Sequence, residues 1–307
     1  MDKVMVLMST YNGEKYLGIQ LDSILNQEGV DVHILVRDDG SKDNTRKILR
    51  GYANVHNNIS ILEDDNCGAI LSFYSLMDYA VKHYSDYKYF AFSDQDDYWY
   101  PNKLERAISM NTDNLDNYFY HSCYEIVDGN LDLICKSTNT YTIGTLGEAL
   151  IANHSIGCSE VFTYDVLTEA AKICNYHLDN PRYYPYHDLW MYLVALATKA
   201  KIVFDDYCSL KYRQHGNNVI GVGRGRIETM IFQYKNLVKT KNLKSGFARI
   251  LLDLIDADDE IRRILMLSYE YRLSLLFKMK LLMDKEYCIH GFINRLAFKY
   301  SVIRGLF

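Results

Sequence analysis

The sequence predicts an α/β fold: a mixed, mainly parallel sheet flanked by helices, followed by a helical C-terminal extension. Three observations predict it. Short apolar runs alternate with longer amphipathic segments through the first hundred residues, which is the pattern of βαβ units and a largely parallel sheet. Several of these runs end in polar clusters, Ser9-Thr10-Tyr11-Asn12, Asp38-Asp39 and Asp94 to Asp97, and ligands bind beyond the carboxyl ends of the strands in such sheets. From about residue 226 the pattern is helical to the end.

The elements follow in order. Val4–Ser9 reads as a buried strand, and Glu14–Gln27 as a helix with Leu17, Leu21, Ile24 and Leu25 at helical spacing. Val32–Arg37 is the second strand, Lys42–Tyr52 a short helix and Ile59–Leu62 the third strand. Gly68–His83 is helical, with Ile70, Phe73, Tyr74 and Met77 on one side. Tyr87–Phe92 is the fourth strand, and Pro101 opens the next helix. The stretch from about 115 to 221 is more mixed. Tyr118–Val127 and Ser155–Thr163 read as strands, Asp188–Thr198 as a helix and Lys201–Phe204 as a strand.

Composition removes several classes. With 49% hydrophobic and 24% charged residues, the 307-residue chain is globular rather than disordered. Its seven cysteines are widely spaced with no CxxC, so no zinc ribbon or thioredoxin-like site is expected. MDKVMVLMSTYN does not read as a signal peptide, and no run reaches the roughly 18 apolar residues of a membrane span. The expectation is a cytoplasmic protein. Charge is uneven: residues 222–307 hold 16 Lys and Arg against 9 Asp and Glu, a net of +7, whereas 1–221 carry −12. Either the acidic body suits a cation and the basic tail an anionic lipid or phosphate-bearing partner, or the charges are a solvated helical surface.

Asp94-Gln95-Asp96-Asp97 is the sharpest chemical feature. Three carboxylates in four residues repel one another unless a cation joins them, and hard divalent ions take carboxylate oxygens; the alternative is a solvated acidic turn that caps the next helix. An EF-hand does not fit, because Trp99 stands at the glycine position and Pro101 breaks the loop. Asp38-Asp39-Gly40-Ser41 is either a capped turn or a partner for a base or ribose. Tyr11 either stacks on a base or packs. The first turn lacks GxGxxG, which argues against a dinucleotide fold. Asp188 is either a general base or a helix cap, and Trp190 either a sugar platform or core. His215 is a third metal ligand or a surface residue. Gly221-Val222-Gly223-Arg224-Gly225-Arg226 is a linker or a phosphate loop.

Together, VLMSTYNGEKYL, LVRDDGSKDNT, NCGAILSF, FSDQDDYWYPNKL, PYHDLW and YRQHGNNVIG make residues 3–221 resemble the inverting family 2 glycosyltransferases of the GT-A fold. SDQDDYWYPNKL and YRQHGNN narrow the resemblance to bacterial rhamnosyltransferase-like enzymes of cell-wall and capsular polysaccharide assembly. The resemblance implies a GT-A catalytic domain over 1–221, with a nucleotide-binding half at about 1–114 and an acceptor half at about 115–221. Residues 222–307 lie outside the match and are expected to form a helical region available for membrane or oligomer contact.

It further implies a nucleotide-diphosphate sugar donor, most simply dTDP-L-rhamnose, and Mn²⁺ or Mg²⁺. The acceptor is a saccharide or lipid-linked saccharide, and no nucleic acid is involved. Ser9, Thr10, Tyr11, Asp39, Asn66, Gly68 and Asp94 would bind the nucleotide. Asp94, Asp96 and His215 would hold the metal. Asp188 would be the catalytic base, and Asp97, Gly157, His187 and Trp190 would face the acceptor. His187 departs from the pattern, since many members have Glu before the base. Two alternatives remain in view: a UDP-hexose transferase of the same fold, and a sugar-phosphate nucleotidyltransferase, although STYNGEKY is not the latter's Gly-rich basic loop. A non-catalytic glycan-binding module would have no need of Asp94, Asp96, Asp188 and His215 together. The last segment, Phe292–Phe307, carries Arg295, Lys299 and Arg304 among apolar residues. It either packs on the catalytic domain or lies on the inner face of a membrane.

Overall fold

The computed structural model describes residues 1–137, 143–178, 183–214, 243–288 and 292–307. Its strands are β1 (Asp2–Thr10), β2 (Val30–Asp39), β3 (Ile59–Asp64), β4 (Tyr89–Ser93), β5 (Tyr98–Trp99), β6 (Tyr118–Val127), β7 (Leu133–Lys136), β8 (Val161–Thr163) and β9 (Lys201–Arg213). They form one sheet in the order β3-β2-β1-β4-β8-β6-β9-β5, with β7 on β6. The first four strands pair in parallel. β8 runs antiparallel between β4 and β6, so the sheet is mixed where the two halves of the predicted domain meet.

The helices before residue 200 are α1 (Leu17–Leu25), α2 (Thr45–Val55), α3 (Ala69–His83), α4 (Lys103–Ser109), α5 (Leu146–Ile151), α6 (Tyr164–Ala171) and α7 (His187–Ala197). α7 is apolar on nearly every side and buries Leu189 through Ala195 without interruption, as a helix inside the core should. β1 buries Val4, Met5, Val6, Leu7 and Met8 completely. That continuous run marks a strand covered on both faces.

Two expectations change here. Ser155–Thr163 is a strand only over Val161–Thr163, because Gly157–Ser159 turns as a 3₁₀ helix. The turn closes through Ser159 N–H on Ile156 O at 2.9 Å and Glu160 N–H on Gly157 O at 3.0 Å. Lys201–Phe204 extends to Arg213, since β9 finds a parallel partner along β6 across two register shifts.

The C-terminal helices are α8 (Leu243–Leu254), α9 (Asp259–Glu270), α10 (Leu275–Met283) and α11 (Phe292–Arg304). α8 and α9 dock on α5, α10 packs on α9 and α11 on α10. Phe247, Leu251, Ile264, Leu265, Leu281 and Phe298 pack in the same cluster as Phe92 and Trp190. Tyr176 donates to Asp253 at 2.7 Å, and Thr145 donates to the Glu286 carbonyl at 2.5 Å. The 221/222 boundary lies outside the described residues. Among the described residues, no helix is long and apolar enough to cross a membrane.

Candidate active site

Parallel register brings three of the sequence clusters to one edge. Thr10 lies opposite Asp38 in the β1–β2 pair, and Met8 opposite Ser93 in the β1–β4 pair. The Ser9–Tyr11 turn, the Asp38-Asp39 step and the Asp94–Asp97 loop therefore share the carboxyl edge around β1. The strand order reverses at β1, with β2 and β3 on one side and β4 on the other, and open α/β sheets form their crevice at such a point.

On the nucleotide side the structure separates surface groups from supports. The Tyr11 ring is exposed. Its backbone is clamped by the Gln95 amide, which accepts from Tyr11 N–H at 2.9 Å and donates to Tyr11 O at 3.1 Å. The Thr10 hydroxyl is buried and donates to Asp38 at 3.1 Å, so its side chain ties two strand ends together and is not open to a ligand. Ser9 pairs with Ser72 at 2.6 Å.

Asp39 is also buried. It accepts from Arg37 at 2.5 Å, from Cys67 N–H at 2.8 Å and from Gly68 N–H at 2.9 Å. Its carboxylate thus braces the loop that carries Asn66 and Gly68. Asn66 is exposed on that loop and donates to Asp39 O at 2.8 Å. Gly68 has φ +87° as it enters α3, a conformation that favours glycine.

The acidic loop is layered. Asp94 is half-buried on the cleft side, and burial with the charges of Asp96 and Asp188 pushes its carboxyl up to about 7. Asp97 points inward and is wholly buried. It accepts from Arg213 N–H at 3.1 Å and lies against the Cys158 thiol. This corrects its assignment to the acceptor surface. Arg213 also donates to Asp96 O and to Gly129 O, both at 2.6 Å, and so fixes the loop from below. The buried Lys103 amine stands 4.0 Å over Trp99 beside Asp97 and Glu160, and burial lowers its pKa to about 7.

Possible ligand atoms of Asp94, Asp97 and Cys158 lie within 4.8 Å of one another. Burial holds the Cys158 thiol protonated, well above its usual range, and a hard cation prefers oxygen. The interior triplet therefore suits Mn²⁺ or Mg²⁺ poorly. Asp94 fits better, because burial and two neighbouring carboxylates all disfavour its charge, which a divalent cation would restore. Asp96 lies beside it. His215 falls outside the described residues, as does the Gly221–Arg226 segment.

Asp188 sits in the first turn of α7, where the helix dipole favours an anion. Burial pushes its carboxyl up to about 6 against two hydrogen bonds, from Leu189 N–H at 2.7 Å and from the Asn153 amide at 2.9 Å. Asn153 belongs to none of the sequence motifs and is the main residue that sequence reasoning missed. Asn153→Leu is expected to slow turnover about ten- to a hundredfold, the scale of leaving a buried polar partner unsatisfied. Donor affinity should be unchanged. Steady-state kinetics, with donor KM measured separately, checks this.

The other acceptor-side expectations change. Trp190 is fully buried, and its indole N–H donates to Ala170 O at 2.8 Å. It is core, with no face left for a sugar. His187 stacks on Phe73 at 3.7 Å between ring centroids and meets Phe92 edge-on at 4.8 Å. Burial lowers its pKa to about 3, so it is a neutral wedge between those rings. Gly157 makes room for that wedge, because a Cβ there would stand 2.4 Å from His187 Nε2. Gly157→Ala is expected to cost about 1–3 kcal/mol of stability through overpacking, visible as a lower thermal midpoint.

A model of glycosyl transferase family 2 matches residues 5–158. The dTDP-rhamnosyl transferase RfbG of Shigella flexneri is 32% identical over 219 residues, covering 70% of this chain and 73% of that protein. Among solved structures, S. aureus TarS 1–349 in complex with UDP-GlcNAc superposes with a TM-score of 0.61 at 17% identity, covering 98% of this chain and 81% of that one. The mannosyltransferase PcManGT from Pyrobaculum calidifontis, in complex with GDP-Man and Mn²⁺, gives 0.53 at 14% identity, covering 98% and 75%. These likenesses carry the GT-A fold. With the family match and the Shigella relative, they identify the chain as a member of glycosyltransferase family 2.

Proposed function

We propose that the protein transfers L-rhamnose from dTDP-L-rhamnose, with inversion, onto a saccharide or lipid-linked saccharide acceptor in the assembly of a bacterial surface polysaccharide. The donor rests on the similarity to the Shigella transferase. The mechanism rests on one observation: a carboxylate with a raised pKa, Asp188, held by Asn153 in the electrostatic field of Asp94 at the sheet edge.

In this reading Tyr11 stacks on the nucleobase, with Asn66 and Gly68 lining the same side. Asp39 and Gln95 hold those parts in place. Asp94 and Asp96, with His215, would hold Mn²⁺ or Mg²⁺; when bound, the cation neutralises charge developing on the diphosphate leaving group. Asp188 takes the proton of the acceptor hydroxyl as that oxygen attacks the anomeric carbon, and the sugar passes through an oxocarbenium-like state. Attack on the side opposite the leaving group inverts the configuration in a single displacement. Residues 1–221 would be the catalytic unit, with its nucleotide half ending near 114. The protein would work on the cytoplasmic side, where a lipid-linked acceptor brings it to the inner face of the membrane.

Proton NMR of the transfer product tests the displacement. The anomeric configuration should be opposite to the donor's. Retention would refute a single displacement with Asp188 as base.

A further inference from the structure

The outer surface of the C-terminal helices carries an apolar stripe that the transfer reaction does not use. On α10, Leu275, Met279 and Met283 recur at i, i+4 and i+8 and are 74%, 50% and 80% exposed. This spacing puts them on one line of the helix. Leu276 and Leu273 widen the stripe and are also exposed. The opposite side is anchored, with Leu281 buried and Phe277 packed against the core. On neighbouring α11, Leu296, Tyr300 and Ile303 are exposed at i, i+4 and i+7. Lys278 joins the two helices by donating to Ile303 O at 3.0 Å.

Charge decides what covers this face. α10 holds Lys278 and Lys280, and α11 holds Arg295, Lys299 and Arg304; neither helix contains a carboxylate. In the turn between them, Asp284 is paired with Arg263 at 2.5 Å. A second copy related by a two-fold axis would place this cationic surface against itself, with like charges opposed. An anionic bilayer meets both properties at once, taking the apolar side chains below the headgroups and the cations among the phosphates.

We infer that the exposed face of α10, continued by α11, docks on the surface of an anionic lipid bilayer. The contact is peripheral and needs no spanning segment. It places the basic C-terminal region against the membrane whichever sugar the cleft transfers.

Flotation of the full chain with phosphatidylcholine vesicles, with and without phosphatidylglycerol, tests this. The protein should float with the phosphatidylglycerol vesicles, and high salt should weaken the binding. Leu275→Ser with Met283→Ser should lower the partition at least about tenfold, the scale of withdrawing two apolar side chains. Lys280→Gln with Lys299→Gln should lower it about 25-fold, since each lysine near an anionic surface is worth about fivefold. The lysine pair decides the matter if the serine pair fails to fold. Failure of the wild type to float, or wild-type binding by folded variants, would overturn the inference. So would a wild-type dimer that Leu275→Ser dissociates in light scattering. Donor binding measured on the same samples separates this surface from the cleft: its loss with flotation intact would count against the transferase reading alone.

Discussion

Replacing Asp188 with asparagine is expected to lower the rate of sugar transfer by about 10²–10⁴-fold, the usual contribution of a positioned general base. Asparagine keeps the size of the side chain and its place beside Asn153 and Leu189 N–H, which the carboxylate occupies at 2.9 and 2.7 Å. It cannot take a proton. Donor affinity should therefore stay within about twofold, and the loss should appear in kcat.

The pH profile gives a second signature of the same group. A base must be ionised to act, and burial raises the Asp188 pKa to about 6. The rate should thus rise with pH through about 6 and level off above it. Asp188→Asn should have no such limb. In Asn153→Leu the limb should move upward, because an amide that favours the charged form has been removed. A variant that merely disturbed packing would slow the reaction without moving the midpoint.

Asp94→Asn is the second large effect expected. Burial and the charges of Asp96 and Asp188 act on Asp94 in one direction, against ionisation. A divalent cation would oppose all of them. If Mn²⁺ binds there, the wild type should gain about 2.7 kcal/mol of stability at a metal concentration a hundredfold above Kd. Asp94→Asn and Asp96→Ala should lose most of that gain, together with metal-dependent donor binding. Cys158→Ala should keep both, since its buried thiol is protonated and a poor partner for a hard ion. Loss of the metal response in Cys158→Ala would place the ion deeper, among Asp94, Asp97 and Cys158. Thermal melts with and without Mn²⁺ distinguish the two.

The first hundred residues are largely legible because their signals are local. Strand, turn and helix alternate within about thirty residues, and each polar cluster stands directly after the strand that presents it. The stretch after residue 115 is assembled from contacts that have no local trace. His187 fills the space left by Gly157, thirty residues away, and Asn153 reaches Asp188 across a similar distance. The six-residue α5 is set by a capping box at Thr145 and Glu148 and is too short for a periodic pattern.

Trp190 misled because an aromatic residue beside a candidate base looks like a sugar platform. The uninterrupted apolar run of α7 was the better signal, and it pointed to burial. Thr10 and Asp39 stand at the expected edge with their side chains buried. Sequence position located them there; only their hydrogen bonds to Asp38 and to the 67–68 backbone reveal them as supports. Asp97 differs from Asp94 and Asp96 in the same way, by the Arg213 N–H that holds it inward.

The most direct test of the whole account is calorimetric titration of the wild type with dTDP-rhamnose, UDP-glucose, UDP-galactose, UDP-GlcNAc and GDP-mannose, each with and without Mn²⁺ or Mg²⁺. Selective binding of dTDP-rhamnose that needs the divalent ion is the predicted result. A folded protein that binds none of these donors in the presence of either metal would contradict it.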